Sequence, residues 1–404
     1  MKKSTKIFFG TFVSTIVIIG AFYFGKLSGL TEVSRVSNNG YSNKIDFNKV
    51  NYNVQSLFNK INKEYLNDFD TEKAEEGIYK GILKSLNDPY SAYYNEEEFK
   101  ELNEHSSGEF GGVGIQVSAT EGEYITVISP IKGTPGDKAG IKSGDRITHI
   151  NGETVSSKDL EKAVKIMRGK PGTDVNLTIL RGEGEGAKSL DMKITRALIN
   201  VESVHAKMLD NNIGYIHLSG FQEKSAHEFI EAYKKLKSEG ANKIILDLRN
   251  NPGGLLDVTM EIADFLLDKG IVINIRHRDG RTKTLDTVDG KDDLPLVTLI
   301  NEGSASASEV LSGALQDHKR SRIVGKKSFG KGVIQNLYPI NNNGKKEGMK
   351  LTIAEFYTPN NNKIHGVGIK PDYEVDIPEG VDKIGVENIE KDTQLQKAIE
   401  LLNN

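Results

Sequence analysis

Neither cysteine nor tryptophan occurs in the 404 residues. Without cysteine there is no disulfide framework, no thiol nucleophile and no thiolate metal site. The eight histidines are scattered, with neither an H-E-x-x-H signature nor paired ligand spacing, so no metal and no cofactor is expected. Net charge is −3, which argues neither for nor against nucleic acid. Basic clusters are missing beyond the N-terminus, and no nucleic-acid partner is expected. Glycine is abundant, with 41 residues, as fits many tight turns. The length allows two or three domains.

Long apolar runs are also scarce, with one exception. Lys2, Lys3 and Lys6 precede an uncharged stretch from Ile7 to Gly25. A helix of that length spans roughly 28 Å, close to the hydrocarbon core of a bilayer. The basic flank puts the N-terminus in the cytoplasm. A cleaved signal peptide should have a shorter apolar part followed by a small-x-small site, and none is clear here. Residues 1–27 are therefore expected to be an uncleaved single-pass anchor in the cell membrane, with everything after Lys26 on the extracytoplasmic side. Residues 28–45 are polar and read as a linker.

Residues 46–105 are helical in pattern. Leu57, Ile61 and Tyr65 are spaced by four, as are Ile78, Ile82 and Leu86, the repeat of one helix face. Asn87-Asp88-Pro89-Tyr90 breaks the second helix, and Asn95-Glu96-Glu97-Glu98 caps a short third one. No chemistry is visible in this region. Its role is packing or subunit pairing, and a homodimer is expected.

From Glu109 the pattern changes to short strands. Phe110 to Val117 is a Gly-rich turn entering a strand, and Ala139-Gly140-Ile141-Lys142-Ser143-Gly144-Asp145-Arg146-Ile147 with Ile150-Asn151-Gly152 follows. Residues 106–197, carrying this series, resemble a PDZ domain. The resemblance implies that a peptide C-terminus adds as a strand, with its carboxylate held by N–H groups around Gly111, Gly112, Val113, Gly114 and Ile115. A helix face of Leu160, Ala163, Val164 and Met167 would line the side-chain pocket; plain core packing explains some of the same residues. Arg168, at the end of that helix, is either a solvated cation favourable to the helix dipole or a charged link between domain position and the active site.

The segment 198–375 alternates strands and helices, implying a parallel-rich sheet covered on both faces. Strands are expected at Ile213–Leu218, Lys243–Arg249, Ile271–Ile275 and up to Ile300. Ligands of such sheets bind at the carboxyl ends of strands. Two turns lie there: Asn250-Asn251-Pro252-Gly253-Gly254, and the run Asn301-Glu302-Gly303-Ser304-Ala305-Ser306-Ala307-Ser308-Glu309. A serine at a strand-to-helix turn is either a plain helix cap or a nucleophile beside free helix N–H groups. Gly325 to Gly332 nearly spells a phosphate-binding loop, but Gly332 stands where a hydroxyl is required and a strand follows instead of a helix. The other use of Lys331 is as a general base. A lysine normally titrates near 10.4, and burial lowers that by penalising the ammonium, so that a neutral amine takes the serine proton.

Ser304 to Glu309 followed by Phe329-Gly330-Lys331-Gly332 and Gln335 resembles the carboxyl-terminal processing, or tail-specific, proteases. Leu246 to Gly254, Gly366 to Asp372 and Leu86 to Tyr94 match further stretches of that family, and the resemblance covers about residues 50–375. It implies a multidomain α/β serine endopeptidase with an inserted PDZ-like domain and a C-terminal helical tail over 376–404. It places the nucleophile on Ser306 and the base on Lys331, with Gln335 orienting the amine. It also implies an oxyanion site from backbone N–H groups of Ala307 and of Gly253 or Gly254. Ser304 and Ser308 then shape the turn, Glu309 and Asp317 support it, and Asp247 and Arg249 are structural. His318 lies too far along the helix to act as a base. The expected partners are protein or peptide substrates with accessible C-termini. The alternatives are a catalytically silent peptide-binding scaffold, opposed by the intact Ser306, Lys331 and Gln335, or a non-peptidase ligand-binding protein on the same core, opposed by the attached PDZ-like module.

Overall fold

The computed structural model describes residues 45–119, 124–288, 290, 292–381 and 383–404. The expected anchor over 1–27 lies outside them. Among the described residues no helix is long and apolar enough to cross a membrane.

Two capped helices open the chain. Helix α1 (Phe47–Glu64) starts at Asp46, whose carboxylate accepts from Lys49 N, and α2 (Thr71–Lys84) starts at Asp70. Such caps satisfy N–H groups that the helix itself leaves open. Helix α1 buries none of its residues, and Leu57 is 64% exposed. After the break at Asn87, which adopts a positive φ of 52°, come β1 (Ala92–Tyr94) and α3 (Glu96–Ser107). Asn95 and Glu98 form a reciprocal capping box at the start of α3.

The next unit begins with β2 (Glu109–Gly112), β3 (Ile115–Ser118), β4 (Ile125–Pro130), α4 (Pro135–Lys138) and β5 (Arg146–Ile150). It continues through β6 (Glu153–Thr154), α5 (Leu160–Met167), β7 (Asp174–Arg181) and β8 (Lys188–Thr195). Its antiparallel sheet runs in the order β3-β4-β5-β7-β8, so β3 is an open edge. Ile125, Ile147, Ile179, Ala163 and Met167 fill the core. The chain leaves through β9 (Ala197–Asn200), which pairs antiparallel with β2, so entry and exit form one two-stranded ribbon.

The remaining elements are β10 (Val204–Leu209), β11 (Ile213–Leu218), α6 (Ser225–Ser238), β12 (Lys243–Asp247), α7 (Leu256–Leu266), β13 (Ile271–His277) and β14 (Thr282–Asp286). Then follow β15 (Leu296–Ile300), α8 (Ala307–Asp317), β16 (Ser321–Gly325), β17 (Val333–Asn342), β18 (Lys345–Tyr357), β19 (Tyr373–Glu374) and α9 (Thr393–Asn403). A six-stranded sheet runs β10-β11-β12-β15-β16-β19, parallel except at its β10 edge. Strand β15 is buried along its whole length, which explains its continuous apolar run. Helices α6, α7 and α8 pack on one face, while Leu395 and Ala398 of α9 cover the other. The apolar face of α9 is thus used within the chain.

One expected strand belongs elsewhere. Residues 271–275 do not extend the parallel series. Strand β13 pairs antiparallel with β14 and β18, in a second sheet that also holds β1 and β17. It runs on into a hairpin with β14, and so follows the antiparallel neighbour that the hairpin supplies.

Candidate active site

The serine turn is built on the end of β15. Ser304 Oγ donates to Leu248 O at 2.7 Å, Ser308 Oγ donates to Asn251 O at 2.9 Å, and Ala305 N donates to the same Asn251 O at 3.0 Å. The two flanking serines therefore tie this turn to the neighbouring turn after β12. Ser306 stands between them with φ 53° and ψ −107°. For a residue with a side chain this conformation costs about 1–3 kcal/mol and is held only by its surroundings. It begins α8.

What holds it is Glu309. This fully buried carboxylate accepts from Ser306 N (2.7 Å) and Lys331 N (2.8 Å) at Oε2, and from Gly330 N (2.7 Å) and Ser328 Oγ (2.6 Å) at Oε1. Burial pushes its carboxyl above the ordinary range, and the four donors pull it back. One side chain thus fixes both the serine turn and the lysine loop.

The loop packs tightly because it is glycine-rich. A Cβ on Gly332 would lie 2.4 Å from His365 N, so only glycine fits there. Lys331 is 4% exposed, and its Nζ sits 4.7 Å from the centre of the Tyr90 ring. Burial lowers its amine to about 8; the nearby Lys350 cation adds to that, and Glu309 and Asp88 oppose it. Gln335 is fully buried just past a β-bulge in β17. Its Nε2 donates to Val333 O at 3.2 Å, while Oε1 is buried without a partner. Ser306 Oγ and Lys331 Nζ are not hydrogen-bonded to each other.

The second turn presses against the first. Asn250 has a positive φ of 57° and Gly253 one of 105°. A Cβ on Gly253 would come within 2.8 Å of Ala305 O, 3.0 Å of Ala307 N and 3.1 Å of Ser306 Cβ. The N–H of Gly253 already donates to Asn251 Oδ1 at 2.8 Å. The N–H groups of Gly254 and Ala307, in contrast, bond to no described group. Beside them lies a hollow of about 20 Å³ lined by Leu256, Val310, Val333, Ile334 and Phe356. Asp247 and Arg249 anchor the turn from below, with Arg249 also gripping Asp392 and Gln394 ahead of and within α9. His318 is spoken for at the far end of α8, its Nε2 against Ile271 O. Asp317, also at that end, accepts from Asn360 N.

The expected peptide site divides differently. Gly111 and Gly112 are strand residues locked into the β2–β9 ribbon; Gly169 N donates to Gly111 O, and Gly112 also bridges to Arg168. Val113 is a core residue, and the turn itself is at Gly114 (φ 74°), just before Ile115 opens the edge strand β3. Met167 is core, while Leu160 and Val164 are only half-buried. The Arg168 guanidinium lies over the Phe110 ring at 4.6 Å and 3.8 Å from Glu104, turned toward α3. Between this domain and the larger one runs a groove of about 1180 Å³ that includes Phe99, Phe110, Pro171, Leu198, Leu255 and Val258.

Sequence patterns did not single out Tyr90, Asp88 or Lys350 as site residues. The Asn87–Tyr90 stretch reads as a helix breaker, and Lys350 is one cation within a strand flanked by other lysines; only the match of Leu86 to Tyr94 to a family stretch hinted at more.

Comparison with known proteins agrees with this architecture. Residues 212–375 match peptidase family S41, residues 126–181 a PDZ domain, and residues 18–98 the activating protease CtpB N-terminal domain. The chain is 35% identical over 383 residues to the carboxy-terminal processing protease CtpA of Bacillus subtilis (strain 168), covering 94% of this chain and 79% of that one. It is 38% identical over 381 residues to a CtpA-like serine protease of Staphylococcus aureus (strain COL), covering 92% and 72%. An S41 protease structure from Bacteroides fragilis shares the fold, with a TM-score of 0.52 at 17% identity over 84% of this chain and 91% of that one. The chain belongs to the S41 carboxyl-terminal processing proteases: it is a serine-type peptidase carrying a PDZ domain.

Proposed function

We propose that Ser306 is the nucleophile and Lys331 the general base of this peptidase. The observation that supports it most is the environment of Lys331: an amine on a side chain only 4% exposed, without an ion pair or hydrogen bond to a described group, lowered to about 8, on a loop that shares one carboxylate with the Ser306 turn. Ser306 Oγ attacks the carbonyl carbon of the scissile peptide and gives its proton to the neutral Lys331 amine. The tetrahedral oxyanion forms within reach of the Ala307 and Gly254 N–H groups, which have no partner among the described residues. Collapse breaks the C–N bond, the leaving amine takes the proton from Lys331, and the acyl group stays on Ser306. Water gives a proton to Lys331 and attacks the ester; the bond from the acyl carbon to Ser306 Oγ then breaks, the new carboxyl end leaves, and Lys331 returns the proton to Oγ. The unpartnered Gln335 Oε1 is an acceptor for the ammonium formed at each transfer.

Ser306 and Lys331 are not bonded to each other at rest, so catalysis includes a closing step. The domain order supports a role for the PDZ domain in driving it. It takes the C-terminal end of a substrate along edge strand β3, and a groove lined on its other side by Phe110, Pro171 and Leu198 reaches Leu255, next to the oxyanion turn. Deleting residues 109–196 should change both rate and substrate choice; no change in either would refute the gating role. The run Ile7–Gly25 supports a single-pass anchor with the protease outside the membrane, and the unburied face of α1 supports pairing with a second copy.

Degradation of a casein-type substrate tests the catalytic reading. Wild type should be active, with kcat/KM rising with pH as Lys331 loses its proton near pH 8. Ser306→Ala and Lys331→Ala should be inactive. Equal activity in all three would refute the mechanism. Loss with Ser304→Ala or Ser308→Ala but not Ser306→Ala would move the nucleophile.

A further inference from the structure

Lys331 is not the only buried amine of the site. Lys350 lies on β18, opposite Ala92 of β1 and Leu337 of β17. It is 3% exposed, and its Nζ is 5.3 Å from the centre of the Tyr94 ring. Neither amine makes an ion pair or a hydrogen bond with a described group. Tyr90 and Tyr94 flank the point where β1 pairs with Lys350, so one short segment lays an aromatic face on each amine. A buried cation without a partner is costly to a fold, and nothing in the packing of β18 calls for one.

We propose that Lys350 is a positioning residue for the base: its buried positive charge keeps Lys331 in the neutral, proton-accepting form. This rests on Lys331 being the base. Two buried lysines on the two tyrosines of one short segment cannot both hold protons cheaply, and a neighbouring cation is a known way to activate an amine. The groups facing the pair are Glu309 from α8, Asp88 and Tyr90 from the loop before β1, Tyr94 from β1 and His365 edge-on to Tyr90. The two carboxylates oppose the effect, but their oxygens are largely engaged: Glu309 by its four donors, Asp88 by Tyr90 N and Ser91 Oγ. Burial brings Lys350 itself to about 8, with Asp88 acting against it. The pair is therefore expected to titrate together, and in this proposal the charge that remains after the first proton leaves rests on Lys350.

The test is the pH profile of kcat/KM on one peptide substrate for wild type, Lys350→Met and Lys350→Arg. With Met, the acidic limb should move up by about one unit, so activity at pH 7 falls about tenfold and recovers at higher pH. With Arg the limb should stay at its wild-type position. Thermal denaturation at pH 7 should show the Met variant at least as stable as wild type, because an unpaired buried charge has been removed. A limb that does not move with Met, or a loss that is equal at every pH, overturns the inference. If the Met variant fails to fold, Lys350→Gln carries the same expectations; failure of every neutral variant to fold makes Lys350 structural and also overturns it. Activity remaining in Lys331→Ala refutes the underlying base assignment instead, whatever Lys350 does.

Discussion

Replacing Glu309 with glutamine keeps the volume of the side chain and changes only what its two terminal atoms can do. In the native site both oxygens accept, each from two donors. An amide has one oxygen and one NH2 group, and the NH2 accepts nothing. Placed at Oε2, it faces the N–H groups of Ser306 and Lys331. Placed at Oε1, it faces Gly330 N–H and takes the acceptor from the Ser328 hydroxyl. Either orientation strands two buried donors. Each stranded group costs about 1–3 kcal/mol, so a loss of about 3 kcal/mol is expected, or roughly 6–12 °C in Tm for a core of this size. The stranded groups sit on the two turns that carry the proposed nucleophile and base. Displacing either by about 1 Å costs on the order of 100-fold in rate, and KM should change little. Scanning fluorimetry and peptide-cleavage kinetics on purified Glu309→Gln measure both. An unchanged Tm together with an unchanged kcat refutes the reasoning. A lowered Tm with intact kcat shows that the carboxylate holds the fold without aligning the two groups.

Two further changes probe other contacts. Gly253→Ala puts a methyl 2.8 Å from Ala305 O and 3.0 Å from Ala307 N at φ 105°; kcat should fall by about 10²–10³-fold, the scale of a lost oxyanion donor, and wild-type turnover would show that the turn relaxes freely. Asp392→Asn leaves the Arg249 guanidinium with only one anionic neighbour in a site 1% exposed; a destabilisation of about 3 kcal/mol is expected from a broken buried pair, read as a lower urea midpoint, and an unchanged midpoint refutes it.

The sequence patterns carried the parts that are local. Strand Ile213–Leu218 and helix α6 are periodic enough to be read directly, and the small residues around Ser306 and Lys331 mark two turns that have to be tight. The assignment of 271–275 to the parallel sheet went astray because an apolar run says that a strand is buried, not which sheet buries it. Gly111 and Gly112 look like a ligand-binding turn because glycine permits one, yet here they permit a close ribbon, with Gly169 O where a Cβ would stand. The contacts that escaped entirely are long-range ones. Tyr90 meets Lys331, and Arg249 meets Asp392, across stretches of chain that no helical or strand period links.

The Arg249–Asp392 link also sets an order of assembly. The ribosome makes Arg249 well before it makes Asp392, and until then the guanidinium under the Asn250–Gly254 turn has only Asp247 as an anionic partner and the sheet face covered by α9 is bare. The turn above Arg249 therefore gains its second anionic anchor only once the tail has been made and has docked.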